Sequence, residues 1–291
     1  MRIVVTGASG RLGTYLVDRL IAGGHQVFAW SGTTHGLRGG IDFRPVDLTN
    51  EAEVLRWLDE ADPEAVIHAA AISSADAVYR DPARGRAVNV EATRRLAAWA
   101  ASHDRRIVFT STDLVFDGAK SWYREDDEAA PILGYGQTKR DAESFVLSIP
   151  RGIVARISLL FGPALGGSPG FYDIALAALA RGERRFFFQD EFRTPLDYRS
   201  AAEIIARLIE SDAMGIVHVG GRERLSRFEL MHRAAIARGI DPDLICPTRQ
   251  ADSSFLEPRP ADVSLDTTRL ASLFPDLEPP DIETALAVMS S

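Results

Sequence analysis

The sequence has little cysteine and no cluster of metal-binding side chains. Cys246 is the only cysteine among 291 residues, which excludes an intramolecular disulfide framework and a thiolate metal cluster. The six histidines are scattered, and no two of them have the spacing of metal ligands. A small buried hydrophobic side chain is the favoured interpretation of Cys246. We therefore expect a protein without a metal site.

Long apolar runs and an excess of positive charge are also missing. No stretch is long enough to span a membrane, and the chain enters a strand at once without an apolar signal segment, so we expect a cytoplasmic protein. The 33 Lys and Arg against 41 Asp and Glu give a net charge of −8. This charge argues against nucleic acids and acidic membrane surfaces as partners. The length fits one large α/β domain, alone or with a smaller companion.

A glycine-rich turn follows the first predicted strand. Residues 3–5 form an apolar run, and apolar residues recur at helical spacing from residue 12, which predicts strand, turn and helix in that order. Glycine lets such a turn approach a pyrophosphate, and the free N–H groups of the new helix face the anion. A purely structural turn is the alternative, but the strand–helix context favours a dinucleotide site. The turn residues predicted to bind the cofactor are Gly7, Ser9, Gly10, Arg11, Leu12 and Gly13.

Strands and helices alternate along the first 160 residues. The predicted strands after the first are at residues 26–30, 41–46, 65–68, 106–110 and 152–157, and the main predicted helices are at 51–60, 82–101 and 135–147. This alternation predicts an α/β fold with a Rossmann-type, doubly wound parallel sheet. Beyond residue 160 the pattern is irregular. We expect a dinucleotide-binding domain at 1–160 and a smaller substrate-binding domain at 161–291, with segments around 195–220 returning to the first.

The end of the second predicted strand lacks the acidic residue that usually binds the ribose of NAD. Residues 30–34 read WSGTT, and no acid occurs before Asp42. A carboxylate there would repel a 2′-phosphate, so its absence favours NADP(H), with NAD(H) left open. Arg11, Arg38 in the predicted loop at 31–40, and the Ser31 hydroxyl are candidates to bind that phosphate. For the two arginines, a solvated loop charge is the alternative.

A Ser-Thr pair and a tyrosine–lysine pair form the densest group of reactive side chains. Ser111 and Thr112 follow one predicted strand, and Tyr135 and Lys139 lie four residues apart on one face of a predicted helix. A free tyrosine has a pKa of about 10, and a nearby ammonium lowers it, which makes the phenol a usable acid and base. Such a pair is usually only a helix surface pair. Here the glycine turn and the Ser-Thr strand end precede it in the order expected of an active site.

With these motifs the chain resembles an extended short-chain dehydrogenase/reductase. More narrowly it resembles the dTDP-4-dehydrorhamnose reductase (RmlD-like) family, which is related to the regulatory β subunit of methionine adenosyltransferase. The resemblance covers nearly the whole chain. The motif most specific to this group is the last one, because the broader epimerase and dehydratase families generally lack it. The motifs are TGASGRLG from Thr6, Asp47-Leu48, HAAA from His68, NVEAT from Asn89, STDLVFDG from Ser111, YGQTK from Tyr135 and RPADVSLDT from Arg259.

The resemblance implies an NAD(P)-dependent oxidoreductase and a role for each catalytic residue. Tyr135 would protonate the substrate oxygen, Thr112 would hydrogen-bond the carbonyl, and Lys139 would hold the nicotinamide ribose and tune Tyr135. NADPH would deliver hydride to C4 of a nucleotide-linked 4-keto-6-deoxy sugar. The protein would supply orientation and the proton.

The resemblance also assigns the ligand contacts. The residues expected along the cofactor are Asp47 and Leu48 at the adenine and Ala69, Ala70 and Ala71 along the pyrophosphate and ribose. The residues expected along the substrate are Ser111, Thr112, Asp113, Tyr135, Arg193 and Arg259. The two arginines would pair with the diphosphate of the sugar nucleotide, because a guanidinium binds two phosphate oxygens at once. An interdomain salt bridge is the alternative for each of them.

Two positions depart from the family pattern and keep other functions open. Leu114 stands where the family usually has tyrosine, and Leu159 stands near a tryptophan of the rhamnose-forming reductases, so the identity of the sugar is open. An NADP-binding regulatory subunit without turnover and a nucleotide-sugar epimerase are the alternatives. Dehydration is disfavoured, because Thr112 is followed by Asp113 and Leu114 and not by an Asp-Glu pair. The assembly is also open, with a homodimer as one option.

Overall fold

The computed structural model describes residues 1–38 and 40–290. No helix in this part of the chain is long and apolar enough to cross a membrane. The strands and helices, in chain order, are β1 (Arg2–Thr6), α1 (Arg11–Ala22), β2 (Gln26–Ser31), β3 (Gly36–Arg38), β4 (Ile41–Pro45), α2 (Glu51–Ala61), β5 (Ala65–His68), α3 (Ala75–Arg80), α4 (Pro82–Arg86), α5 (Ala92–Ser102), β6 (Arg106–Thr112), α6 (Gly134–Leu147), β7 (Gly152–Ile157), β8 (Leu160–Phe161), α7 (Phe171–Leu179), β9 (Arg185–Phe188), β10 (Phe192–Arg193), β11 (Leu196–Asp197), α8 (Tyr198–Glu210), β12 (Gly215–Val219), β13 (Leu225–Ser226), α9 (Arg227–Ala237), β14 (Ile245–Thr248), α10 (Thr268–Leu273) and α11 (Ile282–Ser290).

Eight strands form the main sheet in the order β12-β7-β6-β5-β1-β2-β4-β3. Every neighbouring pair is parallel except β3 and β4 at one edge. The direction in which the strands are added reverses between β1 and β5. In open α/β sheets, ligands bind at the carboxyl ends of the strands beside such a reversal. The predicted doubly wound α/β fold is confirmed.

Helices cover both faces of the sheet and bury its apolar side chains. On one face α1 and α8 pack on each other and on the sheet through residues such as Leu16 and Ile205. On the other face α5 and α6 contribute Leu96 and Val146 to a second apolar cluster. Strands covered on both faces are rich in apolar residues, as β5 and β7 are, with the buried Arg156 of β7 as an exception.

The later part of the chain contributes to the main sheet and also builds a core of its own. β12 pairs with β7 in parallel, and α8 packs on α1, so the chain returns to the first part after residue 195. A separate apolar cluster joins α7, α9 and α11 through Tyr172, Leu230 and Leu286. The small sheets β10–β13 and β9–β14 belong to the same late part. The division into two domains near residue 160 stays a prediction.

Some short elements differ from the sequence expectation. The segment 31–40, predicted as a loop, contains β3, and β14 lies where no strand was predicted. Pro247 is tolerated in β14 because the strand has a neighbour on one side, β9. α3 has six residues and begins after Ser74, whose side chain accepts from the backbone N–H of Ala77. Elements this short present too few positions for a periodic pattern.

Candidate active site

The glycine turn brings the start of α1 close to the end of β5. Gly7 has a φ of +67°, and a Cβ at this position would lie 2.8 Å from the Cα of Ala70. A Cβ on Gly13 would lie 2.1 Å from the carbonyl oxygen of Gly7. Only glycine fits both positions without moving the backbone. The turn is therefore packed against its neighbours, and α1, which begins after Gly10, presents its free N–H groups to the space above.

A cavity of about 1010 Å³ extends along the carboxyl ends of β1, β2, β5 and β6. Pockets for small ligands usually measure about 300–1,000 Å³, so this one has room for a dinucleotide and part of a second ligand. The side chain of Arg38 lies outside the described part of the chain. The other predicted cofactor residues all line the cavity: Gly7, Ser9, Gly10, Arg11, Leu12, Gly13, Ser31, Asp47, Leu48, Ala69, Ala70, Ala71 and Lys139.

The end of β2 has no acidic side chain facing the cavity. The Ser31 hydroxyl donates to the carbonyl of Thr34, and the carbonyl oxygen of Arg44 lies 3.4 Å from it. The Ser31 hydroxyl, which was predicted to donate to a 2′-phosphate, therefore donates its proton within the protein. Gly32 and Thr33 also line the cavity, and the prediction did not include them.

Asp47 lies at the rim of the cavity in a tight local turn. Its Oδ1 accepts from the hydroxyl and the backbone N–H of Thr49, at 2.7 and 2.9 Å. These two hydrogen bonds lower the pKa of the Asp47 carboxyl. The carboxylate is thus fixed in place at the predicted adenine end of the cavity, beside Leu48.

Arg11 connects the glycine turn to the loop between β8 and α7. Its Nε donates to the phenol oxygen of Tyr198 at 3.1 Å, and one terminal nitrogen donates to the carbonyl of Ser168 at 3.3 Å. The loop, residues 162–170, packs directly on the turn, since a Cβ on Gly167 would lie 3.3 Å from the carbonyl oxygen of Ser9. The Arg11 side chain is therefore bonded across the cavity wall and is not simply a solvated loop charge.

Thr112, Tyr135 and Lys139 come together at the carboxyl end of β6. Tyr135 is 8% exposed and Lys139 is 1% exposed, and all three residues line the cavity. The Thr112 hydroxyl donates to Asp113 Oδ1 at 3.2 Å, and its Oγ1 accepts from the backbone N–H of Leu114 at 3.2 Å. The geometry thus places a hydroxyl and a phenol side by side at the wall where the predicted cofactor and substrate would meet.

The charges around Tyr135 differ from the sequence expectation. Burial raises the pKa of the Tyr135 phenol, and the Asp113 carboxylate raises it further. The Thr112 side chain and the guanidinium of Arg193 lower it. The sequence analysis assigned the lowering effect to Lys139. In the protein without cofactor, the cation that acts on the phenol is Arg193.

Lys139 is itself strongly affected by burial. Burial lowers the pKa of its ammonium to about 7, and the Glu143 carboxylate one turn later opposes this effect. The Lys139 Nζ lies 4.0 Å from the centre of the Phe109 ring. An aromatic face is a favourable place for an ammonium that is removed from water.

Glu143 belongs to a buried group that the sequence analysis missed. It forms a two-point ion pair with Arg156 of β7, with donor–acceptor distances of 2.8 and 3.0 Å, and both side chains are 4% exposed. The Ser111 hydroxyl donates to Glu143 Oε1 at 2.5 Å. Ser111 lines the cavity, but its hydroxyl is bonded away from it. No local sequence pattern indicated a role for Glu143 of α6, because its partners Ser111 and Arg156 lie on β6 and β7.

Arg193 lines the cavity as predicted, but its terminal nitrogens are already bonded. One donates to Asp113 Oδ1 at 2.7 Å and the other to Glu191 Oε1 at 3.3 Å. The same Glu191 oxygen accepts from the Nε of Arg227 at 2.9 Å. Arg227 lies 5.1 Å from the Phe171 ring centre and lines the cavity. Its two terminal nitrogens have no hydrogen-bond partner among the described residues, so they are free for an anion.

Arg259 is not among the described residues that line the cavity. It pairs with Asp76 of α3 at 2.9 Å and lies over the Phe255 ring. This ion pair corresponds to the salt bridge that the sequence analysis gave as the alternative to diphosphate binding by Arg259. Arg227 takes its place at the cavity. In the sequence Arg227 follows the helix-capping Ser226, so only its position at a helix start was noticeable there.

Both ring nitrogens of His68 are hydrogen-bonded to threonine side chains. Its Nδ1 lies 2.7 Å from the Thr6 hydroxyl and its Nε2 lies 2.9 Å from the Thr93 hydroxyl. Burial and the nearby Lys139 lower the pKa of His68 to about 3. A neutral imidazole with both nitrogens bonded joins β1, β5 and α5 beneath the cavity.

Comparison with known proteins agrees with this architecture. Residues 1–290 match the family described as "RmlD substrate binding domain". The "probable low-salt glycan biosynthesis reductase Agl14" of Haloferax volcanii is 31% identical over 93% of this chain and 91% of its own length. The dTDP-4-dehydrorhamnose reductase of Aggregatibacter actinomycetemcomitans is 29% identical over 98% of this chain and 97% of its own. The crystal structure of a "hypothetical dTDP-4-dehydrorhamnose reductase" from Sulfolobus tokodaii has a TM-score of 0.85 at 31% identity, covering 97% of this chain and 98% of that one.

A relative of another class also matches. Methionine adenosyltransferase 2 subunit beta of Pongo abelii is 28% identical over 94% of this chain and 82% of its own length. Both groups named in the sequence analysis are therefore found among the relatives. The predicted family and the predicted protein class, an NAD(P)-dependent oxidoreductase of the extended short-chain type, are confirmed.

Proposed function

The chain belongs to the RmlD substrate binding domain family, and we propose that it is an NADP-dependent reductase of a nucleotide-linked 4-keto-6-deoxy sugar. The observation that carries the proposal is the position of Thr112, Tyr135 and Lys139 together at the wall of the cavity that the glycine turn also lines. The relatives named dTDP-4-dehydrorhamnose reductase support this substrate class.

The residues at the cofactor end fit a dinucleotide with a 2′-phosphate. Gly7 and Gly13 hold the backbone close to the space above the turn, and no carboxylate follows β2 at Gly32 and Thr33. The residues that would hold the cofactor are those of the turn together with Asp47, Leu48 and the strand end at residues 69–71. Bound NADPH supplies the hydride for the carbonyl carbon.

The protein's own contribution is a proton and an orientation. The Tyr135 phenol is protonated at neutral pH, and burial favours this form further because it raises the pKa of the phenol. A protonated phenol can give its proton to a substrate oxygen as negative charge develops there. The Thr112 hydroxyl donates to Asp113 Oδ1 at 3.2 Å and would turn its proton to the substrate oxygen when a sugar binds.

A regulatory subunit that holds NADP without turnover is the second candidate. The similarity to methionine adenosyltransferase 2 subunit beta supports it. Leu114 and Leu159 also support it, because both line the cavity where the reductase family usually has aromatic residues that pack on a sugar. A nucleotide-sugar epimerase would recycle its cofactor, so net NADPH consumption separates it from a reductase.

Dehydration is disfavoured by the surroundings of Asp113. Its carboxylate accepts from Arg193 at 2.7 Å, from Ser158 at 3.0 Å and from Thr112 at 3.2 Å. A carboxylate that accepts three hydrogen bonds is not placed to donate a proton to a leaving hydroxyl.

The test is NADPH oxidation by the purified protein with a panel of dTDP- and GDP-linked 4-keto-6-deoxy sugars. We expect turnover with at least one sugar, and a loss of about a hundredfold or more in Tyr135→Phe, which removes the proton donor at nearly constant volume. NADPH binding by the variant serves as the folding control. Tight NADPH binding without turnover on any sugar would favour the regulatory subunit.

A further inference from the structure

Residues 162–170 form a loop that lies on the glycine turn. A Cβ on Gly167 would lie 3.3 Å from the carbonyl oxygen of Ser9 and 3.5 Å from the backbone nitrogen of Arg11. Gly167 and Ser168 line the cavity together with the turn. Loop 162–170 therefore forms part of the cavity wall at the place where the free N–H groups of α1 can receive an anion.

The two ends of loop 162–170 are tied together by Asp173 of α7. Its Oδ1 accepts from the backbone N–H of Ala164 at 3.1 Å, and its Oδ2 accepts from that of Gly170 at 2.8 Å. The segment between these two anchors, residues 165–169, is called the crest below. Because its ends are held together, the crest can move as one unit without disturbing α7.

The crest is only weakly attached to the rest of the protein. Leu165 is 58% exposed, and residues 167–169 are exposed as well. Among the described residues, the crest takes part in one hydrogen bond, which runs from the Arg11 guanidinium to the Ser168 carbonyl oxygen at 3.3 Å. A segment with an exposed backbone and few bonds opens locally at a low cost in free energy.

Helix α1 holds loop 162–170 through side chains that meet at Tyr198. The Nε of Arg11 donates to the Tyr198 phenol oxygen at 3.1 Å, and the Tyr15 phenol donates to the carbonyl of Pro163 at 2.8 Å. The rings of Tyr15 and Tyr198 are stacked, with their centres 5.5 Å apart. The helix that presents its N–H groups to an anion therefore also carries the side chains that hold the loop over them.

We propose that loop 162–170 is a gate for the dinucleotide, held closed by Arg11 and Tyr15, and that it has to lift for NADP(H) to enter and leave. A pyrophosphate bonded to the N–H groups of α1 lies beside the crest, on the side of the cavity. Loops that close over a ligand often set the turnover rate, because product release waits for them to open. The proposal rests on the NADP(H) site of the proposed function, and it goes further by assigning the rate of cofactor exchange to one loop.

A disulfide between the crest and α1 tests whether the loop has to move. A Cβ on Gly166 would lie 3.5 Å from the Cβ of Thr14, and disulfides join Cβ atoms that are about 3.5–4.5 Å apart. The test protein is Thr14→Cys/Gly166→Cys in a Cys246→Ser background, which removes the one native cysteine. We expect the oxidised protein to bind and release NADPH at least about tenfold more slowly than the same protein reduced with dithiothreitol.

The rates are obtained by stopped-flow fluorescence of NADPH, after mass spectrometry has verified the disulfide. Thr14→Cys alone, in the same background and treated with the same oxidant, cannot form this bond. Its rates should therefore be equal before and after oxidation. Equal rates in the oxidised and reduced double variant would mean that NADPH exchanges past a fixed loop, and the proposal would be wrong.

A milder variant loosens the gate and does not depend on forming a disulfide. Tyr15→Phe removes the hydrogen bond to Pro163 and keeps the ring against Tyr198. We expect the association and dissociation rates of NADPH both to rise about fivefold, which is the worth of one hydrogen bond, with a smaller change in Kd. Tyr79→Phe is the matched control, because Tyr79 is 50% exposed and is not among the described cavity-lining residues. A faster dissociation at an unchanged association rate would overturn the gate, since Tyr15 would then only stabilise the bound cofactor.

These measurements require no sugar, so they separate the gate from the proposed reductase. If the oxidised and reduced forms differ in NADPH exchange but no sugar is reduced, the reductase proposal fails and the gate stands. Turnover of a sugar together with equal exchange rates gives the reverse conclusion. Failure of every form to bind NADPH would contradict both proposals.

Discussion

Gly32 occupies the position where many dinucleotide-binding sheets carry an acidic residue. A Cβ at Gly32 would have no atom within 4 Å, so a side chain can be added there without displacing a neighbour. We expect Gly32→Asp to weaken NADPH binding at least about tenfold relative to NADH, because the carboxylate repels the 2′-phosphate. Titration of both cofactors measures this preference. Gly32→Ala is the control, and an unchanged preference in Gly32→Asp would place the 2′-phosphate elsewhere.

The terminal nitrogens of Arg227, beside Phe171 and Glu191, have no hydrogen-bond partner in the described part of the chain. We expect Arg227→Gln to raise the KM for a nucleotide sugar by about tenfold or more, with a smaller effect on kcat, because it removes charge-assisted hydrogen bonds to the diphosphate. Arg259→Gln is the matched control, since its ion pair with Asp76 lies away from the cavity-lining residues. A KM increase in Arg259→Gln alone would reverse this assignment.

At the residue scale, spacing predicted which side chains share a face but not how deeply they are buried. Tyr135 and Lys139 do lie on one face of α6, as four-residue spacing requires. Burial then moves their pKa values in opposite directions, upward for the phenol and to about 7 for the ammonium. The depth of burial and the approach of Arg193 depend on segments distant in sequence, so no local pattern contains them.

At the element scale, α6 is joined to β7 by the Glu143–Arg156 ion pair. We expect Glu143→Gln to lower the free energy of unfolding by about 3 kcal/mol, because it leaves the buried Arg156 charge without its partner. One terminal nitrogen of Arg156 already has no hydrogen-bond partner among the described residues. Urea denaturation measures the change. The double variant Glu143→Gln/Arg156→Met should recover part of the loss, and equal stability of Glu143→Gln and wild type would contradict this account.

The sequence was most informative for long elements with a strong pattern. The bounds of β5 and β7 coincide with the predicted apolar runs. A capping box of Ser226 and Glu229 begins α9, and this Ser-x-x-Glu signal can be read from the sequence. β3, α3 and β14 were missed because their sequences carry no apolar run of the kind seen in β5. A short strand is defined by its pairing partner, here β4 for β3 and β9 for β14, and this partner is not adjacent in every case.

At the scale of the whole molecule, two buried histidines make stability depend on acid. The pKa is lowered to about 3 for His68 and to about 4 for His218, in both cases chiefly by burial. The unfolded chain takes up these protons near pH 6.5, before the folded protein does. We therefore expect the free energy of unfolding to fall as pH decreases from about 6.5 towards 4. Thermal unfolding across this range measures the effect.

Substitution of one histidine tests whether the buried histidines cause the predicted loss of stability in acid. His218 lies on β12, with its Nδ1 3.1 Å from the carbonyl oxygen of Asp266. His218→Gln removes the titrating group, so the decrease of Tm with acid should be shallower than in the wild type. An identical slope in both proteins would assign the acid sensitivity to other groups.

The assembly of the cavity from distant segments explains what remained unpredictable at this scale. After residue 160, β12 joins the main sheet beside β7. The sequence analysis did not identify Arg227, because the packing of α3, α7 and α9 determines which arginine faces the cavity. Pattern reasoning places an element in a layer, whereas the direction of an arginine side chain depends on tertiary contacts.

The pairing of β12 with β7 has a consequence for how the protein is made. Five residue pairs, from Gly215–Ile153 to Val219–Ile157, close that side of β7. During synthesis the ribosome completes β7 well before residues 215–219 exist, so the nascent chain carries an open strand edge over this interval. Open edges recruit other strands and promote aggregation. Chains that stall or are cut between β7 and β12 should therefore depend on chaperones more than the finished protein does.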